Sequence, residues 1–297
     1  MTAYGVRNPA HEMKPQILGE SPPGSSEVLR RRARELPLAS PMSRLVPSLL
    51  SALLLMPCAL ASGAESLRLV ALADSTVAPR AKTRVYTDIL REELAPAEVL
   101  NAGVPGNTSA DLLKRLARDV LAHQPQVVLI QVGINDSAID VWRNPPATHP
   151  RVPPDAFRAN LLQIIASIRS TGARILLVAP NPLLWTPTLK NVYGKTPYDP
   201  SDPDGMDRPL EAYRTLLREI AQSEKIPLLD ASAAFREEAR RTHQKLEAFV
   251  PDGMHPGDAG HRVLASLIRK GLADLAAGGS PELAPLRTTP DKKSPEP

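Results

Sequence analysis

One cysteine, Cys58, occurs in 297 residues, and it lies in an apolar stretch near the N-terminus. Past that stretch the chain can build neither a disulfide framework nor a thiol nucleophile. An excess of one charge sign is lacking too. Residues 1–61 hold seven Lys or Arg and four Asp or Glu, so most of the net +4 sits there and the remainder has 29 basic against 28 acidic groups. That balance leaves no electrostatic case for binding nucleic acid or anionic lipid. His123 and His149 lack partners at metal-ligand spacing and, with His261, read as structural. No internal repeat is present, and aromatics make up only 3% of the chain.

Long hydrophobic runs are scarce as well. The single candidate follows Met42-Ser43-Arg44 and spans 45–61, ending in an Ala-x-Ala site. A short basic start, an apolar segment and small residues before a cut form the layout of a secretory signal peptide over 42–61. Pro47 and Pro57 interrupt the segment, which argues against a membrane anchor and for a mature chain without an integral membrane segment. Residues 55–58 also read as a lipoprotein processing box with Cys58 acylated, although Pro57 fits that poorly. Met42 suits a true start, making residues 1–41 a disordered or mis-called extension. An exported location, periplasmic or extracellular, is expected.

What is present from residue 66 onward is an alternation of short β-like runs with helical patterns. Strands are expected at 67–72, 98–100, 126–132, 174–179 and 226–229. Between and after them, 83–94, 109–122, 154–170, 209–223, 231–241 and 258–275 carry apolar residues at three- and four-residue spacing. Such a pattern predicts an α/β fold with one open five-stranded parallel sheet covered on both faces. The domain is expected over 66–276, with a disordered tail at 277–297. Ligand sites in such sheets form outside the carboxyl ends of the strands.

Four blocks fall at that edge. They are Asp74-Ser75 after the first strand, Asn101-Ala102-Gly103-Val104-Pro105-Gly106-Asn107-Thr108 after the second, Gly133-Ile134-Asn135-Asp136 after the third, and Asp252-Gly253-Met254-His255 late in the chain. A serine in a turn, with an Asp and a His three positions apart, supplies a nucleophile, a base and a carboxylate to orient the base. Serine needs such a base at neutral pH. Taken singly, each block also reads blandly: Ser75 as a turn residue, Asp252 and His255 as a surface loop.

In order and spacing the four blocks resemble the SGNH hydrolases, or GDSL esterase and lipase family, over roughly 66–276. The resemblance implies a three-layer α/β/α, flavodoxin-like domain. It implies Ser75 as nucleophile, His255 as general base and acid, and Asp252 as its orienting carboxylate. The oxyanion would be met by the backbone N–H groups of Ser75 and Gly106 and the Asn135 side chain. Glycine at 106 would let backbone approach the substrate closely. The first block departs from the family pattern at Ala73 and Thr76, so Ala73 is expected in the β region. Asp74, Asn101 and Asp136 are expected to support loops.

The expected function is therefore a secreted serine esterase acting through an acyl-serine intermediate, with no metal or cofactor and a small-molecule or glycan ester as substrate. Acetyl esters on carbohydrate come first by family habit. Alternatives are a lipid esterase, lysophospholipase or thioesterase on the same groups, acetyl transfer to a glycan hydroxyl, or a non-catalytic carbohydrate-binding protein. Trp142, Trp185, Tyr193 and Tyr198 follow the third and fourth strands, either lining the substrate entrance or anchoring loops. The connection 181–208 is long enough for a lid or specificity segment. The acidic stretch Asp199, Asp202, Asp204, Asp207 reads as a solvated loop, lacking the terminal Glu of a calcium loop.

Overall fold

The computed structural model describes residues 66–80 and 82–278. The segments expected as extension (1–41) and signal peptide (42–61) lie outside the described residues, as do 279–297 of the expected tail, whereas Ala277, expected to open that tail, closes the last helix. The order of elements is β1 Arg68–Ala73, α1 Tyr86–Glu93, β2 Glu98–Gly103, α2 Ser109–Asp119, β3 Val127–Gln131, α3 Ile134–Ser137 and α4 Pro154–Arg169. There follow β4 Arg174–Ala179, α5 Pro187–Tyr193, α6 Arg208–Glu224, β5 Leu228–Asp230, α7 Ala231–Thr242 and α8 Asp258–Ala277.

All five strands are parallel, in the order β2-β1-β3-β4-β5. This is the expected α/β sheet with the flavodoxin-like order. Alternation along the strands builds two cores. Val70, Leu72, Val128, Ile130, Ile175 and Leu177 face α2, α4 and α6 through Leu112, Leu116, Phe157, Leu161, Leu210 and Leu217. Leu69, Ala71, Val127, Leu129, Leu176 and Val178 face α1, α7 and α8 through Tyr86, Leu90, Phe235, Leu264 and Ile268. Each such side chain contributes about 1.5–3 kcal/mol by leaving water, so the central strands must be apolar on both faces.

Local chemistry sets the ends of the helices. Asp111 reaches back to the N–H and hydroxyl of Thr108, closing a capping interaction on α2. Pro154 opens α4 at a position where no N–H is needed. Some bounds differ from expectation. β2 runs to Gly103 rather than 100, because its edge register with β1 continues to Ala73↔Gly103. The first helix begins at Tyr86, so Ser75 sits in an isolated turn and not at a helix start. Two short helices, α3 and α5, were not expected from periodicity; each is seven residues or fewer. Ala73 has no positive φ, as inferred.

Parallel pairing in register delivers Ala73, Gly103 and Gln131 to one edge, where the strand order switches between β1 and β3. At that edge β2 approaches the Ser75 turn closely. A Cβ added to Gly103 would lie 2.6 Å from the Ala78 nitrogen and 2.9 Å from the Val77 carbonyl carbon, both backbone atoms. Gly103→Ala is therefore expected to cost about 1–3 kcal/mol in urea unfolding and to lower ester turnover by displacing the turn. An unchanged unfolding midpoint would refute the close approach.

Candidate active site

Ser75 follows β1 in a turn closed by Ala78 N–H on the Asp74 carbonyl at 3.3 Å. Asp74 lies buried beneath it, its carboxylate accepting from the Thr76 N–H at 2.8 Å and the Thr76 hydroxyl at 2.7 Å. Thr76, a departure from the family pattern, thus adds a donor that braces the turn. Burial pushes the Asp74 carboxyl up, against the pull of the Thr76 donors and the neighbouring His255 and Arg115 charges.

From the other end of the described chain, His255 Nε2 lies 3.0 Å from Ser75 Oγ, and its Nδ1 lies 2.8 Å from Asp252 Oδ2. Asp252 also accepts the N–H groups of Met254 at 2.9 Å and His255 at 2.6 Å. Partial burial raises the Asp252 carboxyl, but the His255 ring and these two N–H groups outweigh it and hold it well below the usual carboxylate range. An ionised carboxylate on Nδ1 fixes the tautomer whose Nε2 accepts a proton from the hydroxyl. Gly253, with φ +81, makes this tight loop; a Cβ there would meet the Leu184 carbonyl oxygen at 2.4 Å.

The loops after β2 and β3 bring further donors to the same edge. Val104-Pro105-Gly106-Asn107 is a turn closed by Asn107 N–H on the Val104 carbonyl at 3.3 Å, with Gly106 at φ +78. Proline followed by a positive-φ glycine is the type II pattern. A Cβ at 106 would meet no protein atom within 4 Å, so within the protein it is the positive φ that favours glycine there. The N–H groups of Ser75 and Gly106 donate to no protein group among the described residues. Asn135, in α3 after β3, sends Nδ2 to the Asn107 carbonyl at 3.0 Å. Hence Ser75, Gly106, Asn135, Asp252 and His255 all meet at the carboxyl edge.

The supporting roles expected for three residues have definite partners. Asn101 donates to the Val77 carbonyl and the Thr87 hydroxyl and accepts the Gly103 N–H. Asp136, fully buried, accepts the Ser109 N–H at 2.8 Å, and its Oδ2 has no partner among the described residues. Burial pushes the Asp136 carboxyl up to about 6, opposed by the Ser109 hydroxyl and N–H and reinforced by the Asp74 charge. His261 is buried in α8, its Nδ1 accepting the Tyr86 N–H at 3.3 Å, so its reading as structural stands.

Sequence reasoning missed four polar residues that hold the edge together. Arg115, on α2, donates to the Ala73 carbonyl at 2.7 Å and to Asn107 Oδ1 at 2.7 Å. Arg214, on α6 and fully buried, donates to the carbonyls of Pro180 at 3.1 Å and Asn181 at 2.8 Å and pairs with Asp207. Asn181 then donates to the Met254 carbonyl at 3.0 Å, seating the His255 loop. Arg151 donates to Asn135 Oδ1 at 3.1 Å. A signal existed for two of them: Arg115 and Arg214 occupy the apolar faces of their helices beside Leu112, Leu116, Leu210 and Leu217.

The acidic stretch needs correction. Asp199 and Asp204 are exposed, but Asp207 is buried against Arg214 and accepts the Leu183 N–H at 2.8 Å. Rather than a solvated loop, its end is a clamp on the chain after β4. The aromatic residues divide. Trp185 donates to the carbonyls of Asp199 and Asp202 and Tyr198 accepts the Ile139 N–H, so both anchor loops. Tyr193 and Tyr198, with Ile134, Leu183, Met254 and Arg151, also line a cavity of about 150 Å³ beside Asn135. Trp142 is half exposed, with the Arg143 guanidinium 5.5 Å from its ring centre. Among the described residues no cluster of metal-ligating side chains occurs, and no helix is long and apolar enough to cross a membrane.

Residues 71–263 match the GDSL-like lipase/acylhydrolase family. The chain belongs to that family. It is a carboxylic ester hydrolase, which sets aside the purely binding reading. It is 30% identical over 172 residues to an acetylxylan esterase of Geobacillus stearothermophilus, covering 56% of this chain and 68% of that one. It is 27% identical over 199 residues to the uncharacterized lipoprotein YqeF of Bacillus subtilis, covering 64% and 80% respectively. The crystal structure of Axe2, an acetylxylan esterase from Geobacillus stearothermophilus, superimposes with a TM-score of 0.54 at 25% identity, over 69% of this chain and 93% of that chain.

The raised Asp136 carboxyl has a consequence for stability. Its folded value of about 6 lies above its ordinary 3.8, so its stabilising share is complete at low pH and is lost as pH rises through 6. The melting temperature of Asp136→Asn minus that of wild type is expected to increase between pH 4 and pH 7. A difference that stays flat across this range would contradict the assignment.

Proposed function

We propose that the chain is an exported esterase that removes short acyl groups, acetyl foremost, from carbohydrate through an acyl-Ser75 intermediate. The observation that carries the reading is the unbroken chain of contacts from Ser75 Oγ to His255 Nε2 at 3.0 Å and from His255 Nδ1 to Asp252 at 2.8 Å. His255 takes the hydroxyl proton as Oγ attacks the ester carbonyl. Negative charge gathers on the carbonyl oxygen, where the N–H groups of Ser75 and Gly106 and Nδ2 of Asn135 stabilise it by roughly 3–4 kcal/mol each. His255 then protonates the departing alcohol, and a water activated by the same imidazole releases the acid and frees Ser75.

The acetyl-carbohydrate substrate class is supported by the likeness to acetylxylan esterases. Export is supported by the basic-then-apolar layout of residues 42–61. The lipoprotein among the relatives keeps acylation of Cys58 as the alternative attachment. One observation favours a second reading, an esterase for longer acyl chains. The cavity beside Asn135, lined by Ile134, Leu183, Met206 and Met254, has room for about five water molecules and so for more than a methyl group.

Turnover of nitrophenyl esters from acetyl to palmitoyl separates the two, with release of acetate from acetylated xylan as companion. The proposal expects the highest kcat/KM for acetyl; a peak at octanoyl or longer would replace it with the second reading. Ser75→Ala is expected to lower kcat about 10⁴-fold or more, and a fluorophosphonate is expected to label Ser75 in the wild type. Residual activity near wild type in the variant would remove Ser75 from the mechanism.

A further inference from the structure

An asparagine amide has nearly the same outline either way round, so for Asn135 to donate to an oxyanion something must decide which end faces the substrate. Two neighbours decide it. Arg151 Nη1 donates to Asn135 Oδ1 at 3.1 Å, and Asn135 Nδ2 donates to the Asn107 carbonyl at 3.0 Å. A guanidinium only donates and a backbone carbonyl only accepts. Turning the amide over would set NH₂ against guanidinium and oxygen against oxygen, losing both bonds. With one Nδ2 hydrogen on Asn107, the second is left for the substrate.

Arg151 is itself held in place. Its Nε and Nη2 fork onto Asp140 Oδ1 at 3.0 and 2.7 Å, and Asp140 is only 2% exposed. Arg143 meets the other oxygen of Asp140 at 2.7 Å. The surrounding loop is fixed by Arg151 N–H on the Ala138 carbonyl at 3.0 Å and Val152 N–H on the Asp136 carbonyl at 3.1 Å. A planar fork can grip a carboxylate and an amide oxygen at once, which a lysine ammonium cannot do in the same geometry.

We propose that Arg151, clamped by Asp140, is a positioning residue that locks the Asn135 amide with its nitrogen toward the oxyanion. The proposal rests on reading Asn135 as an oxyanion donor. Arg151 acts through Asn135, and its positive charge on the amide oxygen also makes the opposite N–H a stronger donor.

The test is a mutant cycle on nitrophenyl acetate with kcat and KM measured separately. Its members are wild type, Asn135→Ala, Arg151→Gln, Arg151→Lys and the double variant Asn135→Ala/Arg151→Gln. Asn135→Ala is expected to lower kcat about 100-fold. Arg151→Gln is expected to lower kcat about tenfold with KM within about twofold. That loss should vanish in the Asn135→Ala background, because the group being positioned is gone. Arg151→Lys, keeping the charge without the fork, should recover only part of the loss. Additive losses in the double variant, an undiminished kcat in Arg151→Gln, or full recovery by lysine would each overturn the proposal while leaving Asn135 as donor. An undiminished kcat in Asn135→Ala would sink the donor reading itself. If a melting curve shows Arg151→Gln unfolded, Arg151→Lys takes its place in the cycle under the same criteria.

Discussion

At the carboxyl edge the backbone leaves the sheet, and two buried arginines that donate to its carbonyls, that of Ala73 also accepting the Val104 N–H, organise the loops above them. Arg115 meets Ala73, and Arg214 meets Pro180 and Asn181. An unmet buried carbonyl would cost about 1–3 kcal/mol. Other donors of each guanidinium reach a second element, Arg115 on Asn107 and Arg214 on Asp207, while Arg115 also pairs with Asp119 and Arg214 with Glu211. The same groups that satisfy the sheet therefore tie the turns bearing Ser75, Gly106 and Asn135, and the chain that seats His255, to a rigid frame.

Charge at the edge is arranged in layers. Asp74 and Asp136 are buried below the turns with their carboxyls raised, while Asp252 lies nearer the surface with its carboxyl depressed. The difference follows from partners. Asp252 accepts three N–H groups, two from backbone and one from the His255 ring, whereas Asp136 has an oxygen with none among the described residues. An anion meant to face an imidazole is kept ionised; those that brace backbone sit where burial resists ionisation.

Much of this was legible from residue order. Strand and helix positions follow from two periodicities, and Asp252-Gly253-Met254-His255 encodes its own contact because acid and base stand three positions apart. Asp74 bonds within two residues of its position, and local spacing suffices there also, as it does for the Gly103 N–H on Asn101 but not for the bonds of Asn101 to Val77 and Thr87. Illegible were the contacts that tertiary packing creates. Arg151 reaches Asn135 across 16 residues of irregular loop, and no periodicity marks it. Asp207 ends a run of exposed acids, and its burial follows only from the placement of α6 against β4. At Gly106 the structure adds a constraint that residue order does not mark, a φ of +78 in the turn after β2.

Ser75 and His255 stand 180 residues apart in the chain. On the proposed roles, a polypeptide interrupted between α7 and residue 252 contains all five strands and the Ser75 turn but neither the base nor its orienting carboxylate. On that reading competence arrives late, with the loop and the helix α8, so that hydrolytic power reports that the polypeptide has been made at least as far as residue 255.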